Sequence, residues 1–322
     1  MDEASKPNVD LKYRPRLRDT RQLGDGKPEL LRSAPEARTS SRLRISKPEH
    51  FIGRKGYEQA FLADFNVGIP QPQGEKLQDI TPVAGDRSGR LDYEHFSIVM
   101  SGSRRIAMFT AANIEGARSV SVSRGDDKWF LDGRIPMDSQ LGEGLYIGNR
   151  LDRGHLVRRE DPNWGPAAKT ANADTFHFTN CAPQMDVVNQ QTWLGLENYI
   201  LQNARAWKER CSVFTGPVLG KHDLRYREAQ IPAAFWKVLA FLGDDGKPSA
   251  TAYVVEQDKE LWGLEAAFGK YKTYQRSVRK IEEVSGISFG SLSSYDAFSN
   301  EELALGGLTL SAELKTLSDI RL

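Results

Sequence analysis

The chain has 322 residues, 39% hydrophobic and 9% aromatic, which is enough apolar material for one large domain or two smaller ones and argues against global disorder. The net charge of +1 does not by itself point to a nucleic-acid partner, yet residues 1–55 hold fourteen Lys/Arg against eight Asp/Glu and leave the remainder acidic. Two cysteines without CxxC spacing, Cys181 and Cys211, exclude a disulfide scaffold or zinc ribbon, and P-loop (GxxxxGK[ST]) and zincin (HExxH) strings are absent.

Residues 1–52 carry prolines, arginines and serines with little periodicity and predict an extended basic arm that folds on a partner or remains solvated. Lys55–Asp64 predicts a short helix, and residues 66–90 a Gly- and Pro-rich connection. The apolar runs His95–Ser101 and Arg105–Ile114, separated by Gly102-Ser103-Arg104, predict a hairpin with Arg104 and Arg105 at a solvated tip. Short strands are expected at Ser119–Ser123 and Lys128–Leu131, a helix at Pro166–Thr175 and a strand at Thr175–Thr179.

A long helix follows over Gln190–Arg210, then strands at Ser212–Pro217, Phe235–Leu242 and Ala250–Glu256, the last two joined through Asp244-Asp245-Gly246. Tyr274–Val284 reads as a basic amphipathic helix stopped by Gly286, and 299–322 as an extension packed on the domain. Hairpins and helices interleave without regular βαβ alternation, so the expected class is α+β, a central antiparallel sheet flanked by helices. The first residues lack an apolar signal region and no run approaches eighteen apolar residues, so a cytoplasmic protein without membrane contact is expected.

Chemistry concentrates between residues 152 and 197. Asp152-Arg153-Gly154-His155 puts a potential base after an arginine, Thr179-Asn180-Cys181-Ala182-Pro183-Gln184 reads as a polar turn, and Asn189, Trp193 and Glu197 step by four along one buried helix stripe. Asn189 and Glu197 are about 12 Å apart along such an axis, so one ion is bound directly by Asn189 and reached by Glu197 through a water. A hard cation such as Mg²⁺ suits this donor set, a nearby histidine suits proton abstraction from water, and arginine suits a phosphate oxygen. Phosphodiester hydrolysis is the resulting expectation. His50, His95, His177 and His222 have no such company and are read as structural.

These residues resemble the DNA/RNA non-specific endonuclease family, the ββα-metal (His-Me finger) nucleases, from about Gly53 to Phe298. The resemblance implies a Mg²⁺-dependent nuclease, with Mn²⁺ as a plausible substitute, acting on DNA and RNA. By the same resemblance His155 is the general base, Asn189 the metal ligand and Glu197 the outer-shell carboxylate. Arg153 stabilises the phosphate, while Asp152 and Asn180 hold the register. The arginine often found one turn after the glutamate is Leu201 here, and Arg158, Arg159 or Arg124 are the candidate substitutes for phosphate binding. Many relatives are exported, so a cytosolic nuclease implies restraint. The competing expectation is an effector held idle until a regulatory protein engages residues 1–50; an oligomer is compatible with either.

Overall fold

Runs of β-branched and aromatic residues build a strongly apolar sheet, in a computed structural model that describes residues 43–86, 88–125, 127–185, 192–257 and 272–314. In chain order the elements are β1 (Ile45–Ser46), β2 (Arg90–Tyr93), β3 (Phe96–Ser101), β4 (Ile106–Glu115), β5 (Leu131–Asp132) and β6 (Leu151–His155). Helix α1 (Ala168–Asp174), β7 (Cys181–Met185) and helix α2 (Thr192–Trp207) come next. Then follow β8 (Arg210–Val218), β9 (Ala234–Leu242), β10 (Pro248–Glu256), β11 (Lys272–Arg276), α3 (Val278–Ser285), α4 (Ala297–Ala304) and β12 (Ala312–Leu314).

Eight strands form one sheet in the order β12-β11-β10-β9-β8-β4-β3-β2, every neighbour antiparallel. Because strand side chains alternate between faces, each strand feeds two apolar layers. Phe235 and Leu239 of β9 join a layer with Leu196, Ile200, Leu201 and Ala204 of α2. Trp236, Val238 and Ala240 join the opposite layer with Tyr57, Trp164, Val278 and Ile281. Each such large side chain contributes about 1.5–3 kcal/mol on burial. This is the expected α+β architecture, and among the described residues no helix is long and apolar enough to cross a membrane.

Several local expectations are corrected. Lys55–Asp64 is not helical: the Gly56 and Ala63 backbones are left-handed, and the Tyr57 and Glu58 amides donate to Ser97 Oγ and Asn113 Oδ1 of the sheet instead of to a helical turn. Ser119–Ser123 forms only an isolated bridge between Ser119 and Trp164, and Lys128–Leu131 shrinks to β5, parallel to β1. Thr175–Thr179 turns into a 3-10 segment, Phe178–Asn180, in place of a strand. Tyr274–Val284 divides between β11 and α3, because Ser277 caps the helix by accepting from the Lys280 amide.

The hairpin tip is not solvated at Arg104, which is 8% exposed and paired with Asp223. The histidines read as structural at 95 and 177 are packed, though outside strands. His95 stacks on Trp164 with centroids 3.4 Å apart, and His177 Nε2 lies 2.8 Å from Ser46 Oγ.

Candidate active site

The tetrad and the polar turn pair with each other. Strand β6 carries Asp152-Arg153-Gly154-His155 antiparallel to β7, with Asp152 opposite Gln184, Gly154 opposite Ala182 and His155 opposite Cys181. Cys181-Ala182-Pro183-Gln184, read from sequence as part of a polar turn, lies on a strand, as does His155. A residue with a Cβ could not occupy position 154 unchanged, since that atom would meet the Gln184 amide at 2.1–2.6 Å. Helix α2 follows and brings Glu197, 8% exposed, to the same layer. The order strand, strand, helix thus frames the site.

Asn180 closes the hairpin. It is fully buried; its Oδ1 accepts from the Val157 amide at 2.9 Å, and its Nδ2 donates to the carbonyls of Val157 at 2.9 Å and Thr175 at 3.0 Å. Its role is therefore to position the segment just after His155. Asn180→Ala strands three buried backbone groups and is expected to destabilise the fold by about 3 kcal/mol or more. Equilibrium urea unfolding checks this, and a loss below about 1 kcal/mol contradicts it.

His155 is half-buried, and its Nε2 is covered and makes no hydrogen bond among the described residues. Trp129 and Phe176 hold the ring, with centroids at 4.7 and 5.2 Å. Burial pushes its pKa down to about 4, with Arg159, Arg124 and Arg158 adding to that effect and Asp127 opposing it. All three candidate arginines therefore lie within electrostatic reach of His155.

Their commitments differ. Arg158 Nη2 donates to Asn198 Oδ1 on α2 at 2.7 Å, while its Nη1 is buried and makes no hydrogen bond among the described residues. Arg159 donates to the Val122 carbonyl and to Glu160, and Arg124 pairs with Asp127 on the exterior. Arg153 is engaged by Glu143, Nε to Oε2 at 3.0 Å, above the Tyr146 ring. Asp152 is half-buried at the start of the paired strand. Asn189 lies outside the described residues, as does the Trp193 side chain.

Two buried charges escaped the sequence reading. Lys237, 1% exposed, donates from Nζ to Glu197 Oε1 at 3.3 Å and to Thr215 Oγ1 at 3.0 Å. The signal was a lone lysine inside the apolar run Ala234-Phe235-Trp236-Lys237-Val238-Leu239. Asp161, 5% exposed, is pushed up to about 6 by burial, against the pull of Lys237 and Arg158. The Gly286-Ile287-Ser288-Phe289-Gly290 string has the spelling of a hydrolase nucleophile turn. Here Ser288 ends a two-residue strand that leads only into a 3-10 turn, and its Oγ donates to Glu282.

His155 and Asp161 act oppositely on stability. From pH 6.5 down to about 4 the unfolded chain binds a proton at His155 that the folded chain refuses, so stability falls as pH drops. From 3.8 to about 6 the folded chain keeps a proton on Asp161 that the unfolded chain releases, so this contribution falls as pH rises. Each effect is about 3 kcal/mol, and the two largely offset. Asp161→Asn is expected to unmask His155, giving a steeper loss of Tm between pH 6.5 and 4.5. A uniform Tm shift with unchanged pH slope contradicts this.

Among the described residues no three His, Cys, Asp or Glu side chains gather as a ligand set. A metal here would be held by few protein groups and keep most of its waters. The uncommitted His155 Nε2 and Arg158 Nη1, with the Glu197 carboxylate on the same layer, fit such a hydrated ion beside a phosphate.

The sequence profile described as DNA/RNA non-specific endonuclease matches residues 76–296. An uncharacterized protein of Sinorhizobium fredii is 36% identical over 319 residues, covering 91% of this chain and 46% of its own length. Human mitochondrial endonuclease G is 31% identical over 122 residues, covering 34% of this chain and 40% of that protein. A nuclease of Nostoc is 29% identical over 157 residues, 45% of this chain and 52% of that protein. The chain thus spans about half the length, or less, of these curated relatives. A crystal structure of the EndoG/EndoGI complex, solved for the mechanism of EndoG inhibition, matches with TM-score 0.51 and 17% identity. It covers 63% of this chain and 86% of that one, and supports the fold.

Proposed function

This chain belongs to the DNA/RNA non-specific endonuclease family, and on that premise we propose that it is a Mg²⁺-dependent endonuclease that hydrolyses phosphodiester bonds in both DNA and RNA. The observation that supports this reading most directly is the covered His155 Nε2, which makes no hydrogen bond among the described residues, on a strand paired with Cys181–Met185 and three residues before Arg158, which is bonded to Asn198 of the helix that carries Glu197. In the proposed reaction His155, neutral at pH 7, takes a proton from the attacking water. A cation held there would supply charge neutralisation at the scissile phosphate, and the expected products carry 5′-phosphate. Asn189 would hold it, with Glu197 reaching it through water.

Arg158 is the best placed of the arginines to receive a phosphate oxygen, since one guanidinium nitrogen makes no hydrogen bond among the described residues. Contacts concentrated on phosphate and metal explain affinity without base reading. The test is incubation of the purified chain with plasmid DNA and with single-stranded RNA in Mg²⁺. Both should be degraded and chelation should stop it; cleavage that survives complete chelation overturns the reading.

A second reading concerns restraint. Strand β1 docks beside β5, two residues from the Trp129 that walls His155, so the first described residues of the chain lie near the site. In this reading the nuclease stays idle in the free chain until a regulatory protein engages that basic arm. Removing residues 1–42 should then abolish partner capture without lowering the Tm of the remainder; unchanged capture and unchanged toxicity in cells count against it.

A further inference from the structure

Alternation along β9 sends Phe235, Lys237 and Leu239 to the layer shared with helix α2. Phe235 and Leu239 bury apolar surface there; Lys237, at 1% exposure, buries an ammonium. Removing such a charge from water costs several kcal/mol unless it is paired, and a well-packed apolar side chain would avoid that cost. The pairing is specific. Lys237 Nζ donates to Thr215 Oγ1, on the strand directly opposite in register, and to Glu197 Oε1 on α2. One contact fixes the ammonium to the sheet, and the other fixes the carboxylate to the ammonium.

Leu201, one turn after Glu197, is 1% exposed in the same apolar layer. The positive charge beside Glu197 therefore comes from the sheet and not from the next turn of its own helix. Lys237 is too enclosed to reach a nucleic-acid phosphate.

We propose that Lys237 is a positioning residue for the cation site. It sets the rotamer of Glu197 and compensates its charge, so that the carboxylate faces the waters around the bound divalent ion. This rests on the nuclease reading of Glu197. Surrounding groups that orient a metal's immediate shell commonly change affinity or rate by about 10–100-fold when removed.

The experiment is a double-mutant cycle of Lys237→Met and Glu197→Gln on the full chain. It has three readouts: kcat and KM on a defined oligonucleotide in Mg²⁺, Mn²⁺ affinity by calorimetry without nucleic acid, and Tm. Lys237→Met is expected to lower kcat about 10–100-fold with KM nearly unchanged, and to weaken Mn²⁺ binding about tenfold. In the Glu197→Gln background it should cost no more than about twofold in either, and the double variant should regain Tm relative to Lys237→Met, because the buried carboxylate at position 197 is gone.

Losses in kcat and Mn²⁺ affinity that multiply on Glu197→Gln overturn the proposal. So does a Lys237→Met variant that loses Tm yet keeps native kcat and Mn²⁺ affinity, since that marks a structural ion pair. A wild-type chain that cleaves nothing removes the nuclease reading, while the calorimetric comparison still decides the role of Lys237.

Discussion

His155→Ala is expected to lower cleavage of plasmid DNA and of single-stranded RNA together by about 10²–10⁴-fold, the range a positioned proton acceptor supplies. Three features make the effect large. The Nε2 makes no hydrogen bond among the described residues, the ring is held between Trp129 and Phe176, and β6 is zipped to β7 and locked by Asn180 just beyond the histidine. The substitution trims a partly exposed ring, so Tm should change little while activity collapses.

The pH profile gives a second readout. With the His155 pKa pushed down to about 4, the free protein is already deprotonated at neutrality, so the acid limb of kcat/KM should fall below pH 5 and not near 6.5. Residual cleavage by His155→Ala equal to wild type, or an acid limb unchanged in that variant, would remove His155 from the chemistry.

How far the sequence reveals this arrangement depends on where each hydrogen bond goes. Strands β3, β4, β8, β9 and β10 are long apolar runs bounded by turns, and their existence is legible from composition alone. Strand β6 is not. Asp152-Arg153-Gly154-His155 is polar, and its partner Cys181–Met185 lies some thirty residues away beyond a helix, so no local period announces the pairing. Lys55–Asp64 shows the reverse error. Tyr57, Phe61, Leu62 and Phe65 have helical spacing, but the preceding amides are captured by Ser97 and Asn113 from distant strands.

The site's letters were legible because His155, Asn180 and Glu197 stand in a recognisable order. Their support was not. Lys237 sits inside an apolar run where strand periodicity gives no hint that a carboxylate lies across the layer interface. Asp161, in a polar stretch beside Arg158 and Arg159, is buried close to Lys237, Glu197 and Arg158, which no local pattern announces.

Gly116→Ala should be the most damaging small substitution far from the chemistry. Gly116 follows β4, its amide donates to the Glu209 carbonyl at 2.8 Å, and a Cβ there would lie 1.6 Å from the Ala204 carbonyl oxygen and 2.2 Å from its carbon. Those are backbone atoms of α2, so no rotamer change relieves the clash. The helix cannot easily withdraw, because Leu196, Ile200, Leu201 and Ala204 are buried against the sheet and Glu197 is tied to Lys237. Overpacking of flexible cores costs about 1–3 kcal/mol, and a backbone collision should reach or exceed the top of that range. Any relief tilts the helix that carries Glu197, so Mg²⁺-dependent cleavage should fall together with Tm. Gly125→Ala, where nothing lies within 4 Å of the added atom, is the control and should leave both near wild type. A Gly116→Ala variant with native Tm and activity would show that α2 does not depend on this close approach for its seat on the sheet.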